Sequence, residues 1–217
     1  MGRPPPPADG TQDGGQSDRG DQAAARSNRP VVARCQESRR SAVTVREAAS
    51  ADARRVADLA ALTFPLACPP GTRPDDIANF VSKVLSRSNF ESYIADPDRT
   101  VLLDESGEAE LVGYAMLVFG TPTNSGIRSA LTHEPTVEIS KLYVRPTEHG
   151  GGVASRLMAS ALDSARRRGC KGAWLGVNQQ NARAQKFYAK HGFEIVGTKT
   201  FVVGVQTHDD YVMQVPL

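Results

Sequence analysis

Hydrophobic positions recur along the chain with two different spacings, which predict strands and helices in a defined order. Strands are predicted at residues 42–46, 101–104, 111–119, 136–144, 173–177, 195–203 and 211–215. Helices are predicted at residues 50–64, 74–84, 88–93, 151–168 and 181–190, with Ser50 as the N-cap of the first. The segments 65–72 and 120–134 interrupt these patterns and are predicted to be loops.

These elements describe an α/β domain of the α+β kind, with a mixed sheet of six or seven strands flanked by helices. Residues 136–144 are apolar on both faces, which is typical of a strand covered on both sides. We therefore place this strand at the centre of the sheet. The strands at 101–104 and 111–119 are predicted to form a hairpin.

Residues 1–41 differ in composition from the rest of the chain. They are rich in Pro, Gly, Asp, Gln, Ser and Arg, and they carry almost no large apolar side chains. Burial of so few apolar groups does not offset the entropy lost on folding. We therefore predict a disordered N-terminal tail at 1–41 and a folded domain at 42–217.

Charge and cysteine content limit the classes of partner and compartment. The formal net charge of the 217-residue chain is +2, which indicates no general attraction to nucleic acid or to an anionic membrane. Cys35, Cys68 and Cys170 lack the spacing of a disulfide framework or a zinc site. We therefore expect a cytoplasmic protein without a metal ion, and no apolar run reaches membrane-spanning length.

A glycine-rich turn between the strand at 136–144 and the helix at 151–168 is the strongest chemical signal. Gly150, Gly151 and Gly152 lack Cβ atoms, so a ligand can approach the backbone closely. Unpaired N–H groups and the positive end of the helix dipole favour an anion such as pyrophosphate. An ordinary strand-turn-helix connection would also use Gly and Pro, so the turn alone leaves both interpretations open.

Two common nucleotide motifs do not fit this turn. A P-loop ends in Gly-Lys-Ser/Thr, but Gly152 is followed by Val153 and Ala154. A dinucleotide fingerprint requires Gly or Ala where Ser155 stands. It also requires an acidic residue at the end of the next strand, which instead ends in Val-Asn-Gln at 177–179.

Two motifs lie in the second half of the chain, with a strand between them. The first reads Leu142-Tyr-Val144-Arg-Pro146, then His149-Gly-Gly-Gly152-Val-Ala154. The second reads Asn181-Ala-Arg-Ala184-Gln-Lys-Phe187-Tyr188-Ala-Lys-His-Gly192-Phe193. Together they resemble the signatures of the GNAT superfamily of acyl-CoA-dependent N-acetyltransferases. His149 departs from the family pattern, which has Gln or Arg there, and this change removes a phosphate-facing donor.

The resemblance covers about residues 42–217 and implies a GNAT-like fold. It also implies direct transfer of the acetyl group of acetyl-CoA to a primary amine. A narrower resemblance, at residues 62–64, 174–177, 197–204 and 210–213, is to PaiA-type polyamine acetyltransferases. The expected partner is therefore a polyamine or a similar small amine. A protein N-terminus, a lysine side chain or an aminoglycoside is an alternative acceptor, and a non-catalytic acyl-CoA-binding regulator is an alternative function. A homodimer is compatible with each.

The resemblance assigns roles to individual residues. Tyr188 is expected to protonate the departing thiolate, while Phe187, about 100° away on the helix, packs in the core. Glu138 lies on the strand placed at the centre of the sheet, where a carboxylate without partners is costly, so we expect it to deprotonate the amine through water or to bind it as a counter-ion. The alternative is a solvent-exposed Glu at the end of the strand. The residues expected to bind the cofactor are Leu142, Tyr143, Val144, His149, Gly150, Gly151, Gly152, Val153, Ala154, Ser155 and Asn181.

Some of these roles have structural alternatives. The backbone N–H groups of 142–144 would pair with the pantetheine arm and the thioester oxygen, or simply with a neighbouring strand. Asn181 would bond pantetheine amides or cap its helix. His133, Glu134, Asp209 and Asp210 are interpreted as solvated loop groups within possible reach of the acceptor, and His191 as a partner of its helix C-terminus.

Overall fold

The computed structural model describes residues 45–107 and 109–217. The predicted tail and the first residues of the predicted first strand lie outside the described residues. The strands are β1 (Val45–Glu47), β2 (Arg99–Glu105), β3 (Leu111–Phe119), β4 (Thr136–Val144), β5 (Gly172–Asn178), β6 (Glu194–Val203) and β7 (Gln206–Pro216). The helices are α1 (Ala53–Ala67), α2 (Pro74–Val84), α3 (Arg87–Ala95), α4 (Ser125–Ala130), α5 (Val153–Arg167) and α6 (Ala182–Lys190).

Within the described residues, the strands form one mixed sheet of seven strands in the order β1-β2-β3-β4-β5-β7-β6. β4 lies at its centre, as predicted, where it pairs antiparallel with β3 and parallel with β5. A parallel pair needs a long crossover connection, which α5 supplies. The predicted mixed sheet flanked by helices is confirmed.

Apolar clusters cover the two faces of the sheet. Tyr114 and Met116 of β3 pack with α1, α2 and α3. Ala115 and Leu117 pack with α5, whose buried residues recur at helical spacing. Because alternate residues of a strand point to opposite faces, α5 and the α1–α3 group lie on opposite sides of the sheet.

Two predicted loops contain more helix than expected. α1 continues through Pro65 to Ala67, since a proline near the last turn removes only one hydrogen bond. The predicted loop at 120–134 includes α4, which begins where Asn124 Oδ1 accepts from the N–H of Ile127 at 3.0 Å. Both predictions were wrong at these positions.

The predicted N-cap of the first helix was also wrong. Ser50 begins a 3₁₀ turn, and its side chain caps nothing among the described residues. Asp52 supplies the acceptor instead, since its carboxylate accepts from the N–H of Ala49 at 2.9 Å. Asp52 is buried and also pairs with Arg46 at 2.7 Å, which fixes the start of α1 against β1.

The two central parallel strands diverge after a short stretch of pairing. β4 and β5 pair only at Thr136–Glu138 and Gly172–Trp174, although β4 continues to Val144 and β5 to Asn178. A bulge in β4 at Ser140 interrupts its register with β3 and bends the strand. The sheet therefore opens between the C-terminal halves of β4 and β5.

Candidate active site

The opening between β4 and β5 leads into two adjoining cavities. The inner cavity, of about 230 Å³, is lined by the end of α1, by β4 and β5, and by the β6–β7 hairpin. The outer cavity, of about 260 Å³, extends along α6 to the glycine turn. The described residues that line both are Ala67, Leu142, Tyr143, Asn181, Ala184 and Tyr188. A ligand that spans both cavities would therefore pass between β4 and α6.

Backbone groups on β4 alternate between its neighbour and the opening. The N–H of Arg145 donates to the carbonyl of Val112 on β3 at 2.8 Å. Successive N–H groups of a strand point to opposite sides, so the N–H of Tyr143 also faces β3. Those of Leu142 and Val144 face the opening. The expected set of three backbone donors is therefore corrected to two.

The glycine turn has backbone angles that favour glycine. Gly150 has φ +89° and Gly152 has φ +80°, both in the left-handed region. The N–H groups of His149 and Gly151 donate to carbonyls within the turn, at 3.2 and 3.1 Å. These two N–H groups therefore close the turn, and the assignment of His149 and Gly151 to the cofactor site stays a prediction.

Five N–H groups at the turn are available to an anion. Those of Gly150, Gly152, Val153, Ala154 and Ser155 donate to no described residue. The last three form the first turn of α5, where helix geometry leaves N–H groups unpaired. The positive end of the helix dipole lies at the same point. This arrangement meets the geometric requirement of an anion site.

Arg156 and Asp104 support the turn, and the sequence analysis missed both. Arg156 Nε donates to the Asp104 carboxylate at 2.9 Å, and its Nη1 donates to the carbonyl of Gly151 at 3.1 Å. The Asp104 side chain on β2 is 0% exposed. Since a buried carboxylate requires a partner, this pair ties the glycine turn to the sheet and holds a guanidinium beside the anion site.

Tyr188 lies where the two cavities meet. Burial raises its pKa to about 12, so the phenol is neutral at physiological pH and holds a proton that it can donate. Tyr143 brings a second phenol to the inner cavity and stacks on Tyr114, with ring centroids 5.6 Å apart. Burial raises the pKa of Tyr143 above its ordinary value as well. Sequence reasoning had assigned Tyr143 a backbone role alone.

Asn181 serves its helix and also faces the cavities. Its Oδ1 accepts from the N–H of Ala184 at 3.0 Å, so the N-cap alternative is confirmed. Its amide nitrogen donates to no described residue, and the side chain lines both cavities. Phe187 packs against the core as expected but also lines the outer cavity, 5.4 Å from the Tyr188 ring. The expected division of these two rings was therefore wrong in part.

Charged side chains of both signs line the inner cavity. Glu138 and Lys141 come from β4, Lys199 from β6 and Asp210 from β7. Asp210 is 7% exposed, so its interpretation as a solvated loop group was wrong, and burial raises its pKa. Sequence reasoning missed both lysines. A lysine inside the apolar β4 segment was the available signal for Lys141, the same signal that singled out Glu138.

The other polar candidates lie elsewhere. His133, Glu134 and Asp209 are exposed and line neither cavity. His191 Nδ1 lies 2.9 Å from the carbonyl of Phe187 at the end of α6, as expected for a partner of the helix terminus. These residues do not meet the candidate site.

The two described cysteines differ in their position relative to the cavities. Cys170 lies outside both cavities, whereas Cys68 lines the inner cavity. In the part of the chain that the structure describes, no group of three or more His, Cys, Asp or Glu side chains is placed to hold a metal ion. Across residues 45–107 and 109–217, no helix combines the length and apolarity needed to cross a membrane.

The opening between the central parallel strands lies beside the glycine turn and the N-terminus of α5, an arrangement suited to a long ligand with an anionic group. The chain belongs to the acetyltransferase (GNAT) family, whose model matches residues 61–193. Members of this family use acetyl-CoA and an amine acceptor. The resemblance seen in the two sequence motifs is thereby confirmed at the level of the family.

Individual relatives agree with this assignment. An uncharacterized N-acetyltransferase of Mycobacterium bovis is 46% identical over 162 residues, which cover 75% of this chain and 96% of the relative. The PaiA N-acetyltransferase of Thermoplasma acidophilum, solved in complex with coenzyme A, has a TM-score of 0.65 at 17% identity, over 81% of this chain and 99% of that one. NAA60 of Arabidopsis thaliana, solved with a bisubstrate analogue, has a TM-score of 0.63 at 18% identity, over 81% and 99%. At these identities the two structures show a shared fold.

Proposed function

We propose that this protein transfers the acetyl group of acetyl-CoA directly to the primary amine of a polyamine or similar small molecule. The observation that carries the proposal is the meeting of two cavities at Tyr188. One cavity ends at a cluster of free backbone N–H groups, and the other ends among charged side chains. A long acyl carrier and a small amine would therefore meet at one phenol.

The outer cavity supplies the groups that an acyl-CoA needs. The N–H groups of Gly150, Gly152 and residues 153–155 would hold the pyrophosphate, with Arg156 adding a positive charge. The open N–H groups of Leu142 and Val144 would pair with the pantetheine arm as a neighbouring strand does. The free amide nitrogen of Asn181 would add a donor on the opposite wall. His149 lines the same cavity and would contact the carrier beside the turn.

Bound acetyl-CoA would supply an acetyl thioester as the electrophile. In the opening between β4 and β5, the Leu142 N–H would donate to the thioester oxygen and stabilise the charge that develops there. Tyr188 would give its proton to the departing sulfur. Its pKa of about 12 makes the phenol a weaker acid than expected from sequence, but burial raises the basicity of a thiolate in the same place too. The proton transfer therefore stays feasible.

The inner cavity supplies the acceptor end. Glu138 is half-buried there and forms no hydrogen bond with a described residue, so its carboxylate is free to accept from an ammonium group. It would take the proton that the amine must lose before attack, directly or through water. The expectation of a polyamine acceptor rests on the sequence resemblance, and the carboxylates of Glu138 and Asp210 provide negative charge for such a substrate.

Product analysis tests the proposal. Purified protein is mixed with acetyl-CoA and a panel of primary amines that includes spermidine, amino acids, an aminoglycoside and a lysine peptide. Free CoA is followed with a thiol reagent, and the acetylated amine is identified by mass spectrometry. Acetylated product with at least one small amine supports the proposal. Tight CoA binding without turnover of any amine would refute the proposal and favour a non-catalytic acyl-CoA-binding regulator.

A further inference from the structure

Lys199 has no part in the acetyl transfer described above, yet its ammonium group is held in the inner cavity. Lys199 Nζ lies 5.6 Å from the ring centroid of the buried Trp174, at cation–π distance. Gly176 on β5 makes room for it. A Cβ on Gly176 would overlap Lys199 Cε and would lie 2.7 Å from Nζ. The missing side chain at position 176 therefore admits Lys199 to the cavity.

The charges in this cavity form no hydrogen-bonded ion pairs with one another, although Lys141 lies within electrostatic range of Glu138, and Asp210 within range of Lys199. Among the described residues, Glu138, Lys141 and Lys199 form no ion pair and donate or accept no side-chain hydrogen bond. Asp210 lies opposite Lys199 in the β6–β7 register, but the hydrogen bond that its carboxylate accepts comes from Asn178 Nδ2 at 3.5 Å. Partly buried charges without partners are costly, so a ligand of matching charge would be stabilised here.

We propose that the acceptor carries a carboxylate as well as its primary amine, and that Lys199, together with Lys141, binds the carboxylate. This inference rests on the proposed function. Glu138 would accept from the amine of such a molecule, and the ammonium groups of the two lysines would donate to its carboxylate. Among the small primary amines of the proposed function, the acceptor is thus a zwitterion rather than the polyamine that the sequence resemblance favours.

The alternative acceptor, a polyamine, fits these charges less well. Its additional ammonium groups would lie beside Lys141 and Lys199, where like charges repel. In contrast, a carboxylate on the acceptor would form charge-assisted hydrogen bonds with the lysines. A site built for such a group discriminates strongly against an analogue that lacks it.

Matched acids and amides test the proposal. The substrates are glycine, β-alanine and γ-aminobutyrate, each with its primary amide, and spermidine. The variants are Lys199→Gln, which removes the positive charge, and Gly176→Ala, which keeps the positive charge but displaces the Lys199 side chain. Lys190→Gln, an exposed position on α6 outside both cavities, is the control. We expect at least one acid to exceed its amide by about ten- to a hundredfold in kcat/KM, the usual worth of a charge-assisted hydrogen bond.

The variants separate binding from structure. Both should lower kcat/KM for the acid by about tenfold or more and leave the amide within about twofold. Equal use of acid and amide by the wild type, better use of spermidine, or equal losses for acid and amide in the variants would overturn the inference.

Failure of the proposed function gives a different result. If no amine in the panel is turned over, the acetyl transfer itself is refuted, and calorimetry of the CoA-bound protein then decides the inference. Tighter binding of an acid than of its amide, with the difference lost in Lys199→Gln, supports the carboxylate site. Equal binding, or no binding of either, overturns it.

Discussion

The pair formed by Arg156 and Asp104 makes the sharpest prediction about the glycine turn. Arg156→Gln would leave the fully buried Asp104 carboxylate without its partner and would free the carbonyl of Gly151. Breaking a buried ion pair from one side costs about 3–5 kcal/mol in proteins. Arg156 is itself 36% exposed, so water can replace part of the loss. We expect a decrease of about 3 kcal/mol in the free energy of unfolding.

The complementary change should cost less. Asp104→Asn keeps the shape of the side chain and removes the buried charge, and Arg156 can turn to water. We expect the free energy of unfolding to fall by about 1 kcal/mol, because a hydrogen bond between two charged groups is replaced by a weaker one. The double variant should then lose about 1–2 kcal/mol rather than the sum of the two, because it leaves no unpaired buried charge.

Urea unfolding followed by circular dichroism measures the free energy of unfolding of each variant. Initial rates at increasing acetyl-CoA concentration give the KM, which reports on the glycine turn. The KM for acetyl-CoA should rise about tenfold in Arg156→Gln, since about 1.4 kcal/mol of positioning energy is lost with the bond to Gly151. Arg166→Gln is the control on the same helix: Arg166 pairs with Asp163, and both are exposed, so a loss below about 0.5 kcal/mol is expected. Equal losses for the two arginine variants, or an unchanged KM, would refute the reasoning.

Three further predictions concern other parts of the site. Gly152→Ala forces alanine to φ +80°, which costs about 1 kcal/mol of stability and should raise the KM for acetyl-CoA. The control is Gly120→Ala at φ +112°, which should lower stability in an unfolding curve but leave this KM unchanged. Cys68→Ala should keep turnover within about threefold of the wild type, because burial raises the pKa of this thiol and disfavours a nucleophilic thiolate. Loss of activity in this variant, together with an acetylated wild-type protein in intact-mass spectra, would argue against direct transfer. Burial lowers the pKa of Lys141 from 10.5 to about 8, so this side chain binds more protons in the unfolded chain between these values, and its contribution to stability should rise from pH 8 to pH 10. In thermal melts, the Tm of the wild type relative to that of Lys141→Met should therefore rise across this range, and a constant difference would contradict the shift.

Elements with a strong local pattern were predictable from the sequence. The apolar stripe of α5, the double-sided apolar run of β4 and the glycine turn between them all act locally, and the structure places each as expected. The α4 helix was missed because it has six residues and owes its position to the packing of Ile127 against Trp174. Propensity alone rarely predicts so short a helix, since tertiary contacts supply most of its stability.

The candidate site was predictable only where one segment carries it. The motifs at 149–155 and 181–188 are continuous in sequence. The Asp104–Arg156 pair joins residues 52 positions apart. Lys199 of β6 reaches Gly176 of β5 across β7, because these three strands are neighbours in the sheet. Such encounters follow from strand order and register, which hydrophobic periodicity does not specify.

Tyr188→Phe tests the central claim most directly, that acetyl transfer takes place at the phenol where the two cavities meet. The variant removes one oxygen and keeps the ring that packs beside Phe187 and Phe193. With the best amine of the panel, kcat should fall about ten- to a thousandfold, while the Kd for CoA stays within about twofold. Tyr143→Phe, measured in parallel, should retain most of the wild-type kcat. Wild-type turnover in Tyr188→Phe, or the larger loss in Tyr143→Phe, would contradict the account.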